Sequence, residues 1–364
     1  MKSAITILLT LISLNAMATI LIVDQNGNAP SGAHIYTTFA DAQSAANAGD
    51  TIMLIPSSSS YGNITISKDI TVLGPGFNPQ STNGVTARVT DIRLNNGASG
   101  ASVIGLEIPL FYLGFSASSL TNINIENNYI GYITNNSTTS LSNVLIKQNV
   151  FYTTANASNI NLNVTTQNNI VVANNIFSRN NNSTHASIDV TTGGVLIEHN
   201  LFYGSGASNS YAFYRLNNSE VRNNIFYGRL PRASGSVNDS QFFNNLSFGA
   251  TTNDLSDDNG SGVGSMTFGT NTTGDNNLAS QDPGFVGTIP FENNAWDYSY
   301  DATLSGTPDL STASKDGTSE LGVYGGSSPF KNTGSVVPIV STFDVPTTVQ
   351  EGTNTTADIV VTGN

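Results

Sequence analysis

Asn128-Tyr129-Ile130, Asn149-Val150-Phe151, Asn175-Ile176-Phe177, Asn200-Leu201-Phe202, Asn224-Ile225-Phe226 and Asn245-Leu246-Ser247-Phe248 repeat one short pattern: an asparagine, an apolar residue, then usually an aromatic one. The asparagines are 21, 26, 25, 24 and 21 residues apart. Recurrence at a period of roughly 20 to 30 residues marks a solenoid, in which each repeat is one coil stacked on the next.

The columns around the asparagine define the coil. Three residues before it stand Ile125, Ile146, Val172, Ile197, Val221 and Phe242, and five before it Ile123, Val144, Ile170, Val195, Ser219 and Ser240. This period-2 alternation predicts a strand with one buried face. Two residues after the asparagine, Ile130, Phe151, Phe177, Phe202 and Phe226 predict a second buried strand beyond a bend. Asparagine suits the bend because it tolerates the left-handed conformation and its amide can bond both its own turn and the next coil. With coils about 4.8 Å apart, the six asparagines are expected to form an internal amide ladder. Asn122, Asn143, Asn169, Asn218 and Asp239 mark a second bend column, and Gly74 and Gly105 are expected at the ladder position of the early coils.

Composition narrows the class. The chain has 364 residues, of which 38% are hydrophobic and only 10% charged, so it reads as folded with a neutral polar surface. A net charge of -13 disfavours attraction to nucleic acid or anionic lipid. An acidic polysaccharide is likewise awkward unless Ca²⁺ or a local arginine patch intervenes. With no cysteine there is no disulfide, thiolate nucleophile or thiolate-bound zinc. Lys2, the apolar run Ile5 to Leu14 and Ala16-Met17-Ala18 read as a signal peptide over residues 1–18, and no other stretch is apolar enough to span a membrane.

Residues 19–60 read as an N-terminal cap: a strand at Ile20 to Val23, a helix from Phe39 to Ala48 capped by Thr38, and a strand at Thr51 to Ile55. Regular coils follow over 61–249. Residues 250–334 are expected to form irregular last coils and, through the aromatic stretch Phe285 to Tyr324, to close the C-terminal end. Residues 335–364 read as a short strand-bearing tail.

Phe39-Ala40-Asp41-Ala42 through Gly49-Asp50-Thr51-Ile52, with Ile64-Thr65-Ile66 and Ile70-Thr71-Val72-Leu73-Gly74, resembles the cap and first coils of the pectin-lyase-like superfamily. Asp282-Pro283-Gly284-Phe285 and Gly322-Val323-Tyr324-Gly325-Gly326 are similar to the closing segments of secreted β-helix proteins of Bacteroidota type. The resemblance covers about residues 20–330. It implies an all-β, right-handed parallel β-helix with a short capping helix. It does not choose an activity, because that superfamily holds lyases, hydrolases, epimerases and adhesins. The Gly-His-Gly of polygalacturonases is missing, and Asp257-Asp258 stands outside the regular repeat, so no catalytic residue carries over.

Sparse charges leave few candidate sites. Two residues before each ladder asparagine stand Glu126, Lys147, Ala173, Glu198, Arg222 and Phe243. Their spacing predicts ion pairs between neighbouring coils, Glu126 with Lys147 and Glu198 with Arg222. The sharper reading groups Glu198, His199, Arg222 and Arg229, with Arg215 nearby, as the base, proton donor and carboxylate-binding cations of a lyase. Tyr152, Tyr203 and Tyr227, three residues after their asparagines, should point outward, either to stack on sugar rings or to lie flat over the coil below. Asp254 to Gly260 fits no EF-hand, but an irregular Ca²⁺ site there stays open; no other cofactor is implied. His34 and His185 are expected in surface or loop roles. The expected function is non-catalytic: contact with an extracellular polysaccharide or cell-surface glycan, adhesion, or scaffolding. The alternative is a polysaccharide lyase or glycoside hydrolase with an atypical site. End-to-end self-assembly is a further expectation.

Overall fold

A computed structural model describes residues 18–27, 32–78, 86–136, 138–152, 158–164, 166–178, 186–205, 211–233, 237–250, 272–291, 296–331, 339–344 and 358–362. Within them the alternating columns form a parallel β-solenoid. The strands that precede the bends stack into one 12-stranded sheet, and those that follow them into a 13-stranded sheet. Register is strict: Ile125, Ile146, Val172, Ile197, Val221 and Phe242 lie side by side in successive coils. All six are buried, because a one-residue slip would turn the whole apolar set to water. In the second sheet, the long strand Tyr129–Asn135 pairs with both Val150–Phe151 and Ile160–Leu162, so later coils divide into two short strands. Phe151, Phe177, Phe202 and Phe226 stack ring on ring down the interior at centroid spacings of 4.8 Å, the pitch of the coils.

The ladder is present and longer than expected. Asn128, Asn149, Asn175, Asn200, Asn224 and Asn245 are fully buried. Each Oδ1 from Asn149 onward accepts from the backbone N–H and from Nδ2 of the ladder asparagine one coil earlier, as when Asn175 donates both to Asn200 at 2.9 and 3.0 Å. A seventh rung, Asn277, receives both bonds from Asn245. At the other end Leu106 N–H donates to Asn128, so Leu106 holds the ladder register and Gly105 lies one residue earlier. Gly105 does not stand in for the ladder asparagine.

The left-handed residue is likewise one place earlier than expected. Asn127, Gln148, Asn174, His199, Asn223, Asn244 and Asn276 carry φ between 52° and 59°, and none of the ladder asparagines has a positive φ. The residue before makes the turn, which leaves the ladder amide aimed inward. The second bend column is present and left-handed, with Asn122, Asn143, Asn169, Asn218 and Asp239 at φ from 49° to 57°; in the coil of Asn200 the left-handed residue is Gly193, one place before the register position.

The capping helix spans Phe39–Ala45, with Thr38 Oγ1 accepting from Asp41 N–H. It stops before Ala48 because Lys68 Nζ donates to the carbonyls of Gln43, Ser44 and Ala46, satisfying the last turn. Phe39 and Ala42 are buried against the first strands. Among the described residues no helix is long and apolar enough to cross a membrane. In the tail, Ile339–Asp344 and Asp358–Thr362 pair antiparallel in a sheet of their own. The segment read as a signal peptide lies outside the described residues except for Ala18.

Candidate functional site

Alternation forces a second apolar surface onto this solenoid. From Asn149 to Asn245 the residue after the ladder asparagine is Val150, Ile176, Leu201, Ile225 or Leu246, and it points away from the interior that holds the phenylalanines. These side chains are nevertheless at most 2% exposed. They are covered by the segment from Leu278 to Phe330, which contributes Ile289, Trp296, Leu310, Leu321, Val323 and Phe330 to a second apolar cluster. The expected closure of the C-terminal end is therefore corrected over the described residues. This segment is a strap along the flank, because an outward apolar column would otherwise face water.

The left-handed column fastens the strap. Asn244 Nδ2 donates to Ala313 O, and Asn223 Oδ1 accepts from Lys315 N–H. Asn174 Nδ2 donates to Val323 O and Gly325 O at 2.9 and 2.8 Å, and Gln148 Nε2 donates to Ser328 O and Pro329 O. The strap thus runs back across successive coils, against the direction of coil growth. His199 holds the middle position of this column, under Gly325 and Gly326. A Cβ on Gly325 would lie 2.6 Å from His199 Nδ1, so the strap needs glycine there.

Strap and coils together bound a cavity of about 400 Å³. Glu198, His199, Arg222 and Asn223 line it from the coils, and Lys315, Asp316, Gly326 and Ser327 from the strap. Three of the residues singled out in the sequence, Glu198, His199 and Arg222, are therefore brought together. Arg222 Nε donates to Glu198 Oε2 at 2.8 Å, its Nη2 lies 2.7 Å from the same oxygen, and its Nη1 lies 3.0 Å from Glu220 Oε1. Lys315 Nζ reaches Glu220 Oε1 at 2.7 Å and stands 3.9 Å above the Phe243 ring. The other expected pair, Glu126 with Lys147, also forms, at 3.2 Å.

These contacts set the protonation states. Burial opposes the charge on Arg222, but Glu198 and Glu220 outweigh it and hold its pKa above the ordinary arginine value. Burial pushes Glu220 up, and Lys315 and Arg222 more than offset this and hold it below the usual carboxylate range. Asp316 is pulled down to about 2 by Ser314 and Thr318. His199 lies below the ordinary imidazole value because burial opposes the cation more than Glu198 and the Gly322 backbone favour it. The hydrogen-bond network selects its tautomer. Asn223 Oδ1 is occupied as an acceptor by Lys315 N–H, so Asn223 Nδ2 is the donor to His199 Nε2 at 3.0 Å. His199 is then neutral, with its proton on Nδ1, facing the strap.

The remaining candidates lie elsewhere. Arg215 forms a two-pronged pair with Asp189 at 2.9 and 2.7 Å, and Arg229 is buried, with Nη2 donating to Tyr211 O. Neither lines the cavity. The solvent-facing tyrosine row is also corrected. Tyr203 is 0% and Tyr227 9% exposed, and their hydroxyls donate to Pro290 O and Ile289 O of the strap. They point outward as expected, but into a protein cover. Tyr152 remains half-buried, stacked on Tyr129 at 4.2 Å. Lys315, Asp316 and Ser327 gave no signal in the sequence, since the strap carries no repeat that would align them with a coil. The stretch read as an irregular Ca²⁺ site, Asp254 to Gly260, and His185 lie outside the described residues. Among the described residues no group of three acidic or histidine side chains is placed to hold a metal.

No protein-family model matches the chain, and no curated protein does. Among solved structures it is similar to the crystal structure of pectate lyase Pel9A, with 15% identity over 84% of this chain and 96% of that one, at a TM-score of 0.41.

Proposed function

We propose that this protein is an exported, non-catalytic β-helix that contacts extracellular glycan or serves as a surface scaffold. One observation carries the reading: the two cations that line the cavity, Arg222 and Lys315, are already paired with protein carboxylates. An arginine can take a proton only when neutral, and Arg222 is held charged by two carboxylates. Lys315 is held by Glu220, and His199 Nε2 is taken by Asn223 Nδ2. Such a set can position hydroxyl groups, and its paired cations are not free to neutralise a uronate carboxylate. Export rests on the signal-peptide pattern of Lys2 and Ile5 to Leu14.

The second reading, a lyase or hydrolase with an atypical site, is favoured by the convergence of Glu198, His199 and Arg222 on one cavity. A panel of neutral and acidic polysaccharides, scored for binding and for new reducing ends or unsaturated products, separates the two. Binding without cleavage is expected. Cleavage that disappears in Arg222→Ala would replace the first reading with the second.

A further inference from the structure

We propose that the cavity between Glu198 and Arg222 on the coils and Lys315, Asp316 and Ser327 on the strap is a seat for a neutral sugar residue, and not for a uronate. This rests on the glycan-binding reading above and narrows it. At about 400 Å³ the space falls within the range of small-ligand sites.

Charge decides the class. Arg222 directs Nε and Nη2 to Glu198 and Nη1 to Glu220, and Lys315 shares Glu220. A uronate carboxylate entering here would have to displace a protein carboxylate from its cation. It would also lie beside Asp316, so that three protein carboxylates face two cations. The chain's net charge of -13 adds a repulsive field for any polyanion.

Unengaged polar atoms decide the complement. Among the described residues, Glu198 Oε1, Asp316 Oδ2 and Ser327 Oγ take part in no hydrogen bond, while Glu198 Oε2 and Asp316 Oδ1 are occupied. An ionised carboxylate oxygen only accepts, and it binds a hydroxyl donor more strongly than a neutral acceptor does. Two such oxygens, one from the coils and one from the strap, call for a ligand rich in O–H donors. The Ser327 hydroxyl and the remaining Lys315 N–H donors meet the lone pairs of the same hydroxyls. Gly326 completes the wall without a side chain, and a Cβ there would lie 2.9 Å from His199 Cδ2.

The test is calorimetric titration of the full chain with matched pairs of oligosaccharides, one neutral and one its uronic-acid counterpart of equal length. The neutral member is expected to bind at least about tenfold more tightly. Glu198→Gln and Asp316→Asn should each weaken it by about tenfold, the loss of one charge-assisted bond. Ser327 is exposed, so Ser327→Phe should fill the cavity and remove binding with far-UV circular dichroism and Trp296 emission unchanged. Tighter binding of the uronic member, removed by Ser327→Phe, overturns the neutral assignment and leaves glycan binding standing. Neutral binding that survives Ser327→Phe overturns the site. Binding of neither member overturns both readings.

Discussion

Asn174 and Asn175 are chain neighbours of one residue type, and they do opposite work. Asn175 points inward, makes no left-handed turn, and joins two coils through bonds to Asn200, Ile146 and Ala173. Asn174 takes φ of 52°, points outward, and ties the strap through Val323 and Gly325. The difference extends along both columns. The inner one is uniform, because each rung must bond an identical rung above and below. The outer one varies through Asn127, Gln148, Asn174, His199, Asn223 and Asn244, because it meets a partner with no repeat. Repetition builds the wall, and the strap gives it a differentiated face with a cavity.

Breaking the inner column should have the largest effect. Asn200→Ala leaves the buried N–H of Asn175 and the carbonyl of Val172 without partners. Each orphaned group costs about 1–3 kcal/mol, so the loss should be roughly 2–6 kcal/mol, read as a lower urea midpoint by circular dichroism. Gly325→Ala should act on the outer column alone. Its methyl group meets Glu320 O and His199 Nδ1, so the strap there must shift, at about 1–3 kcal/mol. The chain's one tryptophan, Trp296, is a strap residue buried against the coils, and its emission should report undocking while the solenoid signal stays.

Acid should sharpen the same contrast. His199 has a folded pKa below its ordinary 6.5, so the folded state binds fewer protons than the unfolded one. Its contribution is complete above pH 6.5 and is lost as pH falls below that value toward the folded pKa. Glu198 and Asp316 favour the imidazolium, while burial and Arg222 oppose it; Lys315 also lines the cavity. Asp316, lowered from 3.8 to about 2, adds stability that is present above pH 3.8 and lost toward pH 2. Trp296 emission should therefore change in two steps on acidification. His199→Asn, which keeps a residue tolerant of the left-handed turn, should remove the upper step only. The smallest effect is expected from Lys147→Ala, which breaks a partly exposed pair to Glu126 and should cost under about 1 kcal/mol in the solenoid transition.

The solenoid was legible because its determinants repeat. Period-2 alternation gave the strands, the asparagine spacing gave the coil, and the same step predicted the pairs Glu126 with Lys147 and Glu198 with Arg222. Asn277 escaped notice because its step from Asn245 is 32 residues, outside the earlier range. The assignment of the left-handed turn to the ladder asparagine failed for a local reason. Both residues of an Asn-Asn pair tolerate that conformation, and only the inward aim of one amide separates them. The strap was hidden more deeply. Its grip is on backbone carbonyls, which carry no residue identity. One signal was nevertheless present: an apolar residue directly after each ladder asparagine, opposite in direction to the phenylalanine that follows, requires a cover. Without the strap in view, the tyrosines looked exposed and half of the cavity was missing.

The division of labour between the two columns is tested most directly by comparing Asn174→Gly with Asn175→Ala in urea, following Trp296 emission and far-UV circular dichroism on the same samples. Glycine keeps the left-handed turn and deletes only the amide that holds the strap. The account predicts that Asn174→Gly lowers the Trp296 midpoint and leaves the circular dichroism midpoint in place, whereas Asn175→Ala lowers both. Equal shifts of both signals in both variants would contradict it.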